Sequence, residues 1–138
     1  MINRVAILSN AVIVAGIAAT TTAHAESMST SELQSFLVGR TYYLEVSAGG
    51  SLATSGQAIL YFAPDGSVLN RVPSGRIQQG SWTIKDNTVC VAWKDQPPNP
   101  CSRYEKNGDA ISVVNIATGQ ARGTIVKSAN GNAEDLKP

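Results

Sequence analysis

The sequence predicts an all-β fold: a small antiparallel meander of about eight strands, closed or nearly closed into a barrel and preceded by one short N-terminal helix. Short β-prone segments follow one another from residue 41 to residue 127, and turn signals separate most of them. With 138 residues, the chain has the length of one domain. Closure removes exposed strand edges, which few charges protect here because only 15% of residues are charged.

The first 25 residues have the features of a secretory signal peptide. Arg4 adds positive charge, the 5–19 segment is mostly apolar, and Ala23-His24-Ala25 matches an A-x-A cleavage site. A membrane anchor is the weaker alternative, because a spanning helix needs about 20 apolar residues. We therefore expect cleavage after Ala25. The remaining residues, 26–138, would form a single periplasmic or secreted domain with no membrane span.

Cleavage would have a large effect on the available chemistry, because it removes His24, the only histidine of the chain. A mature chain without histidine excludes Ser-His-Asp and Cys-His catalysis and any His-ligated zinc site. We expect no metal and no cofactor. The 11 basic and 10 acidic residues nearly balance, so charge gives no reason to expect nucleic-acid binding.

A short helix is predicted over residues 30–38. Ser29 and Glu32 have the spacing of a capping box, and Gly39 is placed to end the helix with a positive φ. Apolar residues at i, i+3 and i+4 give the helix one apolar face: Leu33, Phe36 and Leu37.

The rest of the chain consists of predicted strands and turns. The strands are predicted over residues 41–46, 57–63, 67–72, 80–84, 88–93, 101–106, 110–116 and 120–127. Residues 48–56 are predicted to form a loop. Pro64-Asp65-Gly66 is a strong turn signal, and Asn107-Gly108 predicts a type I′ hairpin. The polar tail, residues 128–138, is expected to be loosely held.

The two cysteines, Cys90 and Cys101, are expected to form one disulfide. An exported chain meets oxidising conditions, and two thiols without histidine cannot complete a common zinc site. Between them lies the 94–100 loop, in which three prolines restrict the backbone. Cys90 alternates with Val89 and Val91, so the bridge is expected on the outer face of the sheet.

Five motifs occur in order along most of the predicted domain. They are YFAPDG at 61–66, GSWTI at 80–84, VCVAW at 89–93, CSRY at 101–104 and GNAEDL at 131–136. Their order resembles that of a bacterial family of small exported proteins classified as a domain of unknown function. Many members have proline where this chain has Ala133. The resemblance implies fold and export, and it carries over no catalytic residues.

Candidate ligand-binding residues are aromatic or cationic. Trp93 borders the 94–100 loop and is the better candidate for stacking on a planar ligand, whereas the alternation around Trp82 favours a core position. Arg76 with Arg71 could form an anion clamp at a barrel mouth, although a solvated hairpin tip explains both. Arg103, with the neighbouring Tyr104, could likewise bind a ligand, although a solvated surface position explains Arg103 as well.

Three functional hypotheses follow from these features. The leading one is a non-enzymatic, lipocalin-like binding module that takes a small apolar or planar ligand in or at the mouth of the barrel. The second is a protein-interaction or inhibitor protein that contacts an envelope or extracellular protein through the rigid 94–100 loop. The third is a small hydrolase that uses carboxylates, although no pair of acidic residues has a spacing that predicts one.

Overall fold

The structure is a computed structural model, and it describes Gly16 and residues 25–47 and 56–138. Apart from Gly16 and Ala25, the predicted signal peptide lies outside these residues, as does nearly all of the predicted 48–56 loop. The elements are β1 (Glu26–Ser27), α1 (Thr30–Leu37), β2 (Arg40–Val46), β3 (Gly56–Phe62), β4 (Ser67–Arg71), β5 (Ile77–Lys85), β6 (Thr88–Trp93), β7 (Ser102–Asn107), β8 (Ala110–Asn115) and β9 (Ala121–Asn130). None of the described helices is long and apolar enough to cross a membrane.

Strands β2 to β9 form a closed antiparallel barrel. Each pairs with the next along the chain, and β9 pairs back with β2. The predicted eight-stranded barrel with one short helix is therefore confirmed. The short leader adds a ninth strand, β1, which pairs with the second half of β7 at Ser27 and Glu105.

Helix α1 covers one end of the barrel. The predicted capping box is present, because the Ser29 side chain accepts from the Glu32 amide and the Glu32 carboxylate accepts from the Ser29 amide. Leu33 and Leu37 are fully buried against the strands. The backbone amide of Thr30 donates to Asn87 in the β5–β6 turn at 2.7 Å. The helix thus closes the end at which β2 begins and β7 ends.

The half of the barrel next to α1 is filled by packed side chains. Aromatic rings meet edge to face inside it, with Phe62 between Tyr42 and Trp82 at centroid distances of 6.1 and 5.4 Å. Such pairs add to the free energy gained from burial alone. The buried residues of this core are Met28, Leu33, Leu37, Tyr42, Phe62, Val68, Trp82, Val89, Tyr104 and Val113.

The C-terminal tail is not loosely held, so that expectation was wrong. Strand β9 continues to Asn130, and the following residues pack across the outer face of β2, β3 and β4. Leu136 is only 5% exposed and joins a second apolar cluster with Tyr43, Ile59 and Leu69. Glu134 accepts a hydrogen bond from the Tyr43 hydroxyl at 2.5 Å. The tail is mostly polar and offers few apolar side chains. It is held by one buried leucine and a few side-chain hydrogen bonds.

The hairpin turns differ from the prediction in one place. Asn107 and Ala110 pair with each other, so the β7–β8 turn consists of Gly108 and Asp109. Only Gly108 has a positive φ, which is the pattern of a type II′ rather than a type I′ turn. Positive φ at both central residues occurs instead in the β5–β6 turn, at Asp86 and Asn87.

The disulfide predicted between Cys90 and Cys101 is present, with the two Cα atoms 4.3 Å apart. It lies at the junction of β6 and β7, which we call the β6–β7 seam. Val89 and Ser102 form the one backbone pair described along this seam. Proline at position 100 has no amide hydrogen to continue the ladder, so the covalent bond holds the strands where hydrogen bonds cannot.

Candidate functional site

A cavity of about 340 Å³ occupies the half of the barrel away from α1. Every strand of the closed barrel contributes at least one side chain to its lining. Its floor is the top of the packed core, at Tyr42, Phe62 and Tyr104, and its mouth lies near the 94–100 loop. Strand alternation produces this lining, because every second side chain of a barrel strand points inward.

The walls of the cavity are mainly apolar. Leu44 and Val46 of β2, Leu60 of β3, Val91 of β6 and Ile125 of β9 all line it. Ala58 lies beside Leu44 on the neighbouring strand, and its short side chain leaves space that a larger residue would fill. The cavity therefore offers an apolar surface to any molecule that enters it.

Trp93, the last residue of β6, lies at the mouth of the cavity beside the neighbouring strand β5. It pairs with Gly80, and a Cβ atom on Gly80 would lie 2.9 Å from Cε3 of the Trp93 ring. This distance is shorter than real Cβ contacts allow, so the absence of a side chain at Gly80 makes room for the indole. Trp93 is half-buried, which leaves part of its ring available for contact.

Two tyrosines line the deep end of the cavity. Tyr104 is 5% exposed, and burial raises the pKa of its hydroxyl well above the ordinary value of 10. Burial also raises the pKa of Tyr42 to about 12, and the Tyr42 hydroxyl donates to the backbone carbonyl of Phe36. Both phenols are therefore neutral at ordinary pH, and the Tyr42 hydroxyl is bonded to α1.

A polar pair interrupts the apolar wall on β4 and β5. Asn70 donates from Nδ2 to Oε1 of Gln78 at 3.1 Å, and both side chains line the cavity. Asn70 is 6% exposed, and its Oδ1 atom is buried without a hydrogen-bond partner among the described residues. A buried carbonyl oxygen without a partner loses the hydrogen bonds that water would give it.

Arg122 contributes a guanidinium to the cavity lining. It is the extra residue of a β-bulge, because Val113 pairs with Gly123 while Val114 pairs with Ala121. A bulge redirects side chains, and here Arg122 lines the cavity near its mouth. Its Nη2 donates to the Pro100 carbonyl at 2.9 Å, whereas its buried Nε has no partner within the described chain. Burial lowers the pKa of this guanidinium. The interaction with Tyr104 acts in the opposite direction and partly offsets that lowering.

The 94–100 loop borders the mouth of the cavity. Gln96, Asn99 and Pro100 contribute to the lining, although all seven residues of the loop are exposed. The disulfide fixes the base of this loop on the outer face, as expected: Val89 and Val91 line the cavity, and Cys90 between them does not.

The structure brings only two of the five predicted ligand-binding residues together in the cavity, Trp93 and Tyr104. Trp82 lies in the packed core, where its Nε1 donates to the Ala63 carbonyl at 3.1 Å. Arg103 points outward and pairs with Glu105 at 2.6 Å.

Arg76 lies in the β4–β5 turn, beside a second, more open surface depression. Its suggested partner in an anion clamp, Arg71, instead lies 3.6 Å from Glu134 of the tail.

Sequence reasoning missed Arg122 and Asn70. Val68 points into the barrel, and Asn70 lies two residues later on the same strand, so it also points inward. Strand periodicity could therefore have found Asn70. Arg122 had no such signal, since only the bulge directs it to the cavity.

Within the described residues, no three His, Cys, Asp or Glu side chains are grouped so that they could hold a metal ion. No family model, no curated protein and no solved structure matches this chain. The resemblance to an exported family of unknown function therefore stays a prediction, and the arguments below depend on the geometry of the cavity.

Proposed function

We propose that this chain is an exported binding module whose barrel cavity takes a small ligand with an apolar or planar body. The observation that supports this most strongly is the cavity itself, about 340 Å³ in a barrel whose other half is tightly packed. Protein interiors ordinarily pack as densely as organic crystals. Small-molecule sites are typically mainly apolar cavities of about 300–1000 Å³ with a few polar groups.

Trp93 and Tyr104 give the proposed site two aromatic surfaces at different depths. Tyr104 lies at the floor, against the core, and Trp93 lies at the mouth over Gly80. Aromatic rings bury large apolar areas and prefer offset or edge-on contact with planar partners. A ligand with an aliphatic or aromatic body would therefore contact apolar walls along its length and an aromatic ring at each end.

The protein-interaction alternative is favoured by one observation, the exposure of the whole 94–100 loop above its disulfide. In that case, a partner would contact the loop and the cavity would stay unused. The hydrolase alternative has no comparable support. All ten acidic residues of the chain lie in described segments, and none of them lines the cavity.

Titration with N-phenylnaphthylamine, a neutral fluorescent probe, tests the proposal. Its emission rises when it enters an apolar site, and we expect saturable binding with a stoichiometry of one. Ala58→Leu fills part of the cavity, while Ala92→Leu adds the same atoms at an exposed position of β6. Ala58→Leu should weaken binding by about tenfold or more, since overpacking a filled site costs about 1–3 kcal/mol.

The matched control decides how the result is interpreted. Ala92→Leu should bind the probe as the wild type does, and near-ultraviolet circular dichroism should show that both variants keep native packing. Absence of binding by the wild type, or equal binding by the wild type and Ala58→Leu, would contradict the proposal.

A further inference from the structure

Arg122 has a positive charge in the cavity lining and no carboxylate to balance it. None of the acidic residues of the chain lines the cavity, and the segments outside the described residues contain no Asp or Glu. The interactions that shift the pKa of Arg122 are its own burial and the neighbouring Tyr104. A partly buried cation without a counter-charge is costly, because the protein replaces only part of the hydration that it loses.

The protein provides acceptors for only some of the hydrogen-bond donors of the guanidinium. One terminal nitrogen donates to the Pro100 carbonyl, and this contact holds the side chain against the 94–100 loop. The buried Nε has no partner within the described residues. The planar guanidinium donates in a fork that matches two oxygens of one anionic group. Arg122 is thus held in place, and a ligand would have to meet its terminal nitrogens, because Nε is buried.

Two other positions of the barrel wall, Arg103 and Asn70, differ from Arg122. Arg103, on the outer face, has Glu105 as its counter-charge at 2.6 Å. Inside the cavity, Asn70 is neutral; its amide group is bonded to Gln78, and its Oδ1 has no partner in the part of the chain that the structure describes. The cavity therefore combines one unbalanced cation near the mouth with neutral polar groups and apolar walls.

Resting on the function proposed above, we propose that the ligand is an amphiphilic organic anion, of the carboxylate or sulfonate class, whose charged group binds Arg122. Its apolar body would extend from the mouth toward Tyr104, between walls that include Leu60 and Val91. The charge near the mouth and the apolar interior together set this orientation. Charge-assisted hydrogen bonds are about twice as strong as neutral ones, so the anion would add to both affinity and specificity.

Two probes with the same aromatic body test this inference. Anilinonaphthalene sulfonate has the body of N-phenylnaphthylamine and adds one negative charge. The wild type should bind the anionic probe more tightly than the neutral one. Arg122→Gln should weaken binding of the anionic probe by about 10- to 100-fold more than binding of the neutral probe, given about 1.5–3 kcal/mol for a charged hydrogen bond.

Two further variants serve as controls. Arg103→Gln removes the same charge from the outer face and should not change the binding of either probe. Arg122→Lys keeps the charge without the fork and should retain part of the preference for the anion. If Arg122→Gln does not fold, the comparison of the two probes on the wild type and on Arg122→Lys still decides the question.

Equal affinity of the wild type for the two probes would overturn the inference and leave the proposed binding function intact. An equal loss in Arg103→Gln and Arg122→Gln would also overturn it, because the effect would then come from overall charge. If neither probe bound the wild type, both the inference and the proposed function would fail.

Discussion

Val89 and Ser102 form the one backbone pair described between β6 and β7, and the Cys90–Cys101 bridge lies next to it. Every other junction of the closed barrel has at least four such pairs. The β6–β7 seam is therefore the least hydrogen-bonded junction of the barrel, and the covalent bond compensates for the short ladder. Strand β1 covers the other half of β7 and protects that edge.

Removal of this disulfide should destabilise the protein without changing its fold. For Cys90→Ala with Cys101→Ala, we expect the free energy of unfolding to fall by about 2–4 kcal/mol, mainly because the unfolded chain is no longer constrained. Urea denaturation of both proteins measures the difference, and circular dichroism checks that the barrel remains. An unchanged free energy of unfolding would contradict the role given to the bridge.

The C-terminal tail should contribute to stability through Leu136. Leu136→Ala opens a gap beside Tyr43 and Ile59 and should cost about 2–3 kcal/mol. Val126→Ala is a suitable control, because Val126 is 50% exposed and its truncation should change stability by less than about 0.5 kcal/mol. If both variants unfolded at the same urea concentration as the wild type, the tail would be held no more firmly than first expected.

The capping box should make stability depend on pH. The hydrogen bond from Lys106 and those from Ser29 lower the pKa of Glu32 from 4.5 to about 2. A lowered pKa in the folded state means that the stabilisation is complete above about pH 4.5 and is lost as the pH falls toward 2. Glu32→Gln removes this contribution, so the difference in unfolding free energy between the wild type and the variant should shrink over that range.

Denaturation curves at several pH values between 6 and 2 measure this difference. Glu45→Gln is the matched control, because Glu45 forms no ion pair in the part of the chain that the structure describes. A wild-type to Glu32→Gln difference that stays constant with pH would show that the capping box does not act through the Glu32 charge.

Export should leave a mature protein that begins at Glu26. This expectation comes from Ala23-His24-Ala25, and cleavage there would place the new amino terminus at the start of β1. Intact mass spectrometry of protein from the periplasm or the culture medium determines the terminus. A protein that retains Met1, or that stays in the cytoplasm, would contradict the signal peptide.

The features that sequence reasoning predicted depend on local signals. The capping box at Ser29 and Glu32 defines the helix start, and turn residues such as Asp65 and Gly66 separate the strands. The disulfide followed from the number of cysteines and the expected compartment. The helix and turn signals lie within a few residues of the features that they predict, and the disulfide needed only composition and compartment, so no knowledge of distant contacts was needed.

The features that were missed depend on contacts between distant parts of the chain. The bulge that directs Arg122 into the cavity arises where β9 pairs with β8, and no local pattern marks the extra residue. The tail is held by Thr41 and Tyr43, which lie about ninety residues earlier. Leu136 alone among polar neighbours gave no periodic signal, so its burial could not be predicted.

Methyl-resolved nuclear magnetic resonance with N-phenylnaphthylamine tests the central claim, binding inside the barrel, most directly. Leu60 lines the cavity, whereas its neighbour Ile59 faces the outer cluster under the tail. The account predicts that methyl resonances of Leu44, Leu60 and Ile125 shift with the probe while those of Ile59, Leu69 and Leu136 do not. Shifts confined to the outer set, or saturating probe that shifts none of the cavity methyl resonances, would contradict it.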